Sequence, residues 1–212
     1  MNQILVLLHV LAGSLALIGL IGGLVTKKGG LWHRRLGKLY TLAMAITLFF
    51  ALVVAIVTAN YFLLLIGLFS GYFVYTGWRL AVARKGDRLL LDQWLTQLML
   101  ITGAAMVIYG VYLTVTGASL GVALAVFGIF ALQPAWQDFK FGNKWPDGKK
   151  RIVLHIGRMG GAGIATVTAV FVVNVKTNPA FVAWLVPTLI GTPLILYFSK
   201  RFGPDTKAGT RT

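Results

Sequence analysis

Seven apolar runs, each about 18 to 23 residues long, divide this chain, with short basic segments between most of them. At about 1.5 Å of rise per residue a helix of that length crosses a hydrocarbon layer about 30 Å thick. Backbone polar groups in hydrocarbon must be satisfied within the chain, which leaves helices or a closed barrel. Barrel strands would alternate apolar and polar residues, and these runs do not. The sequence therefore predicts an all-α, polytopic transmembrane helical bundle with seven spans. A hydrophobic content of 58% and a mean hydropathy of +0.81 are too high for a water-soluble chain of this size.

The expected spans are 4–25, 39–59, 61–83, 93–115, a fifth ending near residue 137, 152–173 and 180–198. Residues 1–200 form one transmembrane domain and 201–212 a flexible cytoplasmic tail. No basic residue precedes the first run, so it is expected to be a membrane helix rather than a cleaved signal peptide. Gln133, Pro134 and Gln137 make the fifth span the weakest. Pro187 and Pro193, with Gly191 between them, predict a kinked or broken seventh helix.

The chain carries 20 Lys and Arg against 5 acidic residues, all of them Asp, for a net charge of +15. The stretch 22–40, GGLVTKKGGLWHRRLGKLY, holds five of the basic residues. Placing it in the cytoplasm and alternating through seven spans puts every Lys and Arg except Lys176 on that side. The bias predicts the N-terminus outside and the C-terminus in the cytoplasm, in a bacterial cytoplasmic (inner) membrane. It also places all five Asp on the cytoplasmic side, outside the spans. Basic clusters between membrane runs point to anionic lipid headgroups rather than nucleic acid. With no Cys, thiolate chemistry is excluded.

Small residues recur at helical spacing: Ala12, Ala16, Gly19 and Gly23; Gly67 and Gly71; Gly157, Gly161 and Ala165. Such stripes allow close helix packing within the chain, or a homodimer or membrane-complex interface. Five tryptophans, Trp32, Trp78, Trp94, Trp136 and Trp145, are expected as anchors at the cytoplasmic interface.

Histidines in or near spans are the first candidates for chemistry. His33 falls in the first loop, His155 at the inner end of the sixth span and His9 in the outer half of the first. His9 and His155 differ in depth by about 20 Å, which rules out one three-histidine metal centre. His33 and His155 can meet. A haem b could use a pair of histidines or one histidine with a methionine, and His33, His155, His9, Met44 and Met159 are the candidates. Arg34, Arg35 and Arg158 are candidates for a phosphate, a haem propionate or a lipid headgroup. Tyr72 with Tyr75, and Tyr109 with Tyr112, repeat a three-residue spacing and are candidates for lining an outward-facing cavity for a quinone or other flat ligand.

The pattern of His9 with Gly13, a KGG at 28–30, His33-Arg34-Arg35 with Gly37 and Tyr40, Met44, and His155 with Met159 resembles a family of uncharacterised bacterial predicted-membrane proteins. The resemblance implies a compact multi-span protein without an assigned reaction. Three functions remain open: a redox-associated protein binding haem or quinone, a small-molecule or lipid transporter, and a non-catalytic accessory subunit of a membrane complex. Neither catalytic residues nor a metal set is legible.

Overall fold

A computed structural model describes residues 2–83 and 86–203. Arg84, Lys85, Lys207, Arg211 and the expected tail from residue 204 onward lie outside the described residues. The chain forms seven helices: α1 (Asn2–Val25), α2 (Leu31–Val57), α3 (Tyr61–Val82), α4 (Leu90–Val115), α5 (Leu120–Lys140), α6 (Gly148–Asn174) and α7 (Phe181–Phe202). All seven are long and apolar enough to cross a membrane. The outer surface is hydrocarbon-like, with Ile101 70% and Leu189 72% exposed, which water would not tolerate over so much of a surface.

Three helical hairpins, α1/α2, α4/α5 and α6/α7, surround α3, which packs against α2, α4, α5 and α6. Glycines set the closest approaches. A Cβ on Gly19 would lie 2.7 Å from the Tyr40 backbone nitrogen, so α1 and α2 meet there at backbone distance. A Cβ on Gly161 would lie 2.5 Å from the Phe73 ring, which brings α6 onto α3. The stripes on α1 and α6 are thus used inside the bundle.

Five of the helices run beyond their apolar cores at one end of the bundle. The largest difference is in α2, which begins at Leu31 rather than near residue 39, so His33 is helical and not a loop residue. Likewise α4 takes in Asp92 and α5 takes in Asp138, and both are buried, 1% and 0% exposed. The expectation that every Asp lies outside the spans is corrected for these two. Hydropathy marks the hydrocarbon thickness, whereas the helix persists as long as its backbone bonds and side-chain partners do.

Helix α5 is continuous through Pro134, and α7 is continuous through Pro187 and Pro193. The expected break in the seventh helix is absent. Each proline removes one backbone donor and leaves the rest of the ladder in place.

The connections α3–α4 and α5–α6 are tied together: the Trp145 N–H donates to Gly86 O at 2.5 Å and the Arg88 N–H to Asn143 O at 3.0 Å. Lys28, between α1 and α2, lies 5.7 Å from the centre of the Phe198 ring near the end of α7. These segments form one basic end. The α2–α3 and α4–α5 turns meet at the opposite end.

Candidate functional site at the basic end

Each histidine places Nδ1 against a backbone carbonyl of a neighbouring helix. A carbonyl only accepts, so Nδ1 carries the hydrogen and donates it, and the neutral ring keeps its free lone pair on Nε2. His155 on α6 donates to Gly77 O on α3 at 2.8 Å. One turn on, Met159 covers Gly77: a Cβ there would lie 2.6 Å from Sδ, so only glycine admits both the sulfur and the histidine contact. His33, in the first turn of α2, donates to Gly23 O at 3.0 Å. The Lys28 ammonium donates to the same oxygen at 3.0 Å and to Leu24 O at 2.5 Å. His33 and Lys28 together satisfy carbonyls that the C-terminus of α1 leaves free. Burial holds the Lys28 ammonium below its ordinary pKa.

His33 and Arg151 both lie close enough to His155 to act on it electrostatically. The two histidines from α2 and α6 therefore share one region. His9 does not join them. It donates to Thr47 O at 3.0 Å, and Thr47 lies 14 residues beyond His33 on α2, about 21 Å along the axis. Met44 is also remote: its sulfur faces the Thr166 hydroxyl at 3.4 Å, and Tyr40 bonds the same hydroxyl at 3.0 Å. Thr166 is 11 residues beyond His155, about 16 Å deeper. Of the five ligand candidates, the structure groups His155 with Met159 and His33, and separates His9 and Met44.

Beside this pair lies a buried polar network absent from the sequence reading. Asp92 sits at the third position of α4, where its Oδ2 accepts the Leu89 N–H at 2.8 Å. The same carboxylate binds Arg79 through Nε and Nη2 at 2.8 and 2.9 Å, and accepts the Tyr75 hydroxyl at 2.6 Å. Asp138 repeats the arrangement, accepting Arg158 at 2.8 Å and the Tyr72 hydroxyl at 2.5 Å. Arg88 links the two: it donates to Asp138 O, to the Thr96 hydroxyl at 2.7 Å and to Asp92 O at 3.2 Å. Its guanidinium lies 4.6 Å from the Trp145 ring centre. Three arginines and two aspartates thus join α3, α4, α5, α6 and the connections between them. Arg151 adds a bond from its Nε to Leu80 O at 2.5 Å, three residues beyond the carbonyl that orients His155.

Several expectations change as a result. Arg158 is 5% exposed and committed to Asp138 and Pro134 O, so it does not face a headgroup. Arg34 and Arg35 are exposed, Arg35 lying 5.5 Å from the Trp32 ring centre. Trp145 is 2% exposed and belongs to the network rather than to an anchoring belt. The four tyrosines do not line one outward-facing cavity. Tyr72 and Tyr75 are bound to carboxylates toward the basic end, whereas Tyr109 and Tyr112 stack at 6.2 Å toward the opposite end. There Tyr109 borders a cavity of about 380 Å³ with Asn60, Tyr61 and Leu113.

The missed network had one signal in the sequence. Tyr72, Tyr75 and Arg79 follow helical spacing on α3, so one side of α3 carries two hydroxyls and a guanidinium that need acceptors. Among the described residues no group of three or more His, Cys, Asp or Glu is placed to hold a metal ion. No protein-family model, no curated protein and no solved structure matches this chain.

Proposed function

We propose that this multi-pass protein holds a redox group, haem b or a quinone, at its basic end, with His155 as the principal ligand and His33 as its partner. The observation that carries the reading is the common placement of the two rings: Nδ1 faces a helix carbonyl, so a neutral ring donates from Nδ1 and offers its lone pair at Nε2. A hydrogen bond of this kind fixes ring orientation and raises ligand basicity. Haem supplies four nitrogen donors of its own and asks the protein only for axial ligands, so a histidine pair suffices where a bare metal ion would need more. Met159, one turn from His155 on the same helix, would be an alternative ligand in place of His155 rather than its partner. Arg34 and Arg35 supply charge for propionates or headgroups. The Arg79–Asp92 and Arg158–Asp138 pairs act as positioning groups, holding the ends of α3 and α6 in register.

The same reading places the protein in a bacterial cytoplasmic membrane with its basic end inside, where the positive-inside bias puts it. It also groups the chain with the bacterial membrane proteins whose histidine pattern it resembles. Expression with added haem should yield purified protein with a Soret band, weakened in His155→Ala and shifted or weakened in His33→Ala. A haem-free preparation with no bound quinone on solvent extraction would sink the proposal.

A further inference from the structure

A groove runs along α3 within the membrane-spanning part of the bundle. Helices α2 and α4 both pack on α3 but do not touch each other. The space between them is about 230 Å³, with Gly67, Leu68 and Gly71 of α3 as floor, Leu52 of α2 as one wall, and Leu95 and Leu98 of α4 as the other. Its lining is almost wholly hydrocarbon and it lies at bilayer height, so what fits it is a hydrocarbon chain.

The wall on α2 continues toward the basic end as a charged stripe. At about 3.6 residues per turn, Arg34 and Lys38 fall on the same side of α2 as Leu48 and Leu52. A different side of α2, about 100–120° round from Arg34, is taken up by α1, through the contacts of His33 with Gly23 and of Tyr40 with Gly19. Arg34 and Lys38 are both exposed. Across the groove, Trp78 and Trp94 are 37% and 62% exposed a turn or two toward the same end. The order is therefore apolar groove, tryptophans, then two cations, which matches acyl chain, interface and phosphate.

We propose that this groove is a site for a phospholipid of net negative headgroup, one acyl chain lying over Gly71 between Leu52 and Leu98 and the phosphate held by Arg34 and Lys38. A second copy of the chain is a poorer occupant. Leu52 already covers Gly67, at 2.8 Å from where a Cβ would lie, and the groove is too small for a helix about 10 Å across. The site does not depend on a redox group.

The test uses the full chain, delipidated in mild detergent and titrated with phosphatidylglycerol or phosphatidylcholine under native mass spectrometry. One phosphatidylglycerol should bind per chain in preference to phosphatidylcholine. Arg34→Gln and Lys38→Gln should each weaken phosphatidylglycerol roughly fivefold and phosphatidylcholine less, because the choline cation already offsets the charge of its phosphate. Gly71→Leu, which fills the groove, should abolish binding of both. Leu98→Trp fills it from the other wall and serves if Gly71→Leu does not fold. Equal binding of the two lipids, lipid retention unaffected by a folded groove-filling variant, or a dimer that these variants dissociate would overturn the proposal.

Discussion

Asp138→Asn isolates the energetic role of the buried network. The wild-type carboxylate is fully buried and accepts charge-assisted bonds from Arg158 and from Tyr72. The amide keeps the shape but loses the charge, and its single oxygen cannot serve both donors equally. Arg158 then remains a cation that is 5% exposed, supported by Pro134 O at 3.0 Å and Gln137 at 3.4 Å. Removing one partner of a buried pair costs about 3–5 kcal/mol, and retention of a neutral acceptor places Asp138→Asn near the lower figure. Replacing both members with groups of similar volume, Asp138→Asn with Arg158→Met, removes the stranded charge. That double variant should recover to within about 1 kcal/mol of wild type. The assay is reversible unfolding in mixed micelles, titrated with a denaturing detergent and followed by far-UV circular dichroism. A loss below about 1 kcal/mol for the single variant, or a double variant as unstable as the two singles added, would refute the reasoning, because neither is compatible with a coupled buried pair.

Gly77→Ala should destabilise by about 1–3 kcal/mol, since the new methyl meets Met159 Sδ at 2.6 Å; Met159→Ala in the same chain should relieve part of that loss, and additivity would show the contact to be unimportant. Gly19→Ala should be worse and should not be rescued by trimming a side chain, because its methyl meets the Tyr40 backbone at 2.7 Å; a stable, folded Gly19→Ala in the same titration contradicts this. The chain has no Cys, so single-cysteine variants report topology cleanly. Lys176→Cys should react with an impermeant maleimide on intact cells and Lys200→Cys only after permeabilisation; the reverse pattern inverts the orientation. Tyr40→Phe removes one bond to the Thr166 hydroxyl, which keeps its own bond to Ala162 O at 2.9 Å, so the cost should be about 0.6 kcal/mol, and a loss several times larger would mean that the bond anchors α2 to α6 more strongly than its geometry implies.

The seven helices were legible because their signal is local. A run of twenty apolar residues must satisfy its backbone internally wherever it sits, and no tertiary contact is needed to know it. The clustering of basic residues was legible for the same reason, and the structure gathers the connections that carry them at one end. The separation of His9 from His155 followed from counting residues along straight helices. Ends and partners were not local. Whether α2 starts at Leu31 or eight residues later depends on His33 and Lys28 finding the carbonyls of α1, and hydropathy carries no trace of that bond. Asp92 and Asp138 read as loop charges until α3 and α6 bring Arg79, Tyr75, Tyr72 and Arg158 to them. The sequence by itself determined that this is a seven-helix membrane chain with one basic end. The tertiary structure decided which charges are buried and paired, which histidines share a region, and that each imidazole gives Nδ1–H to a neighbouring helix, because a buried polar group is defined by the partner that another segment supplies.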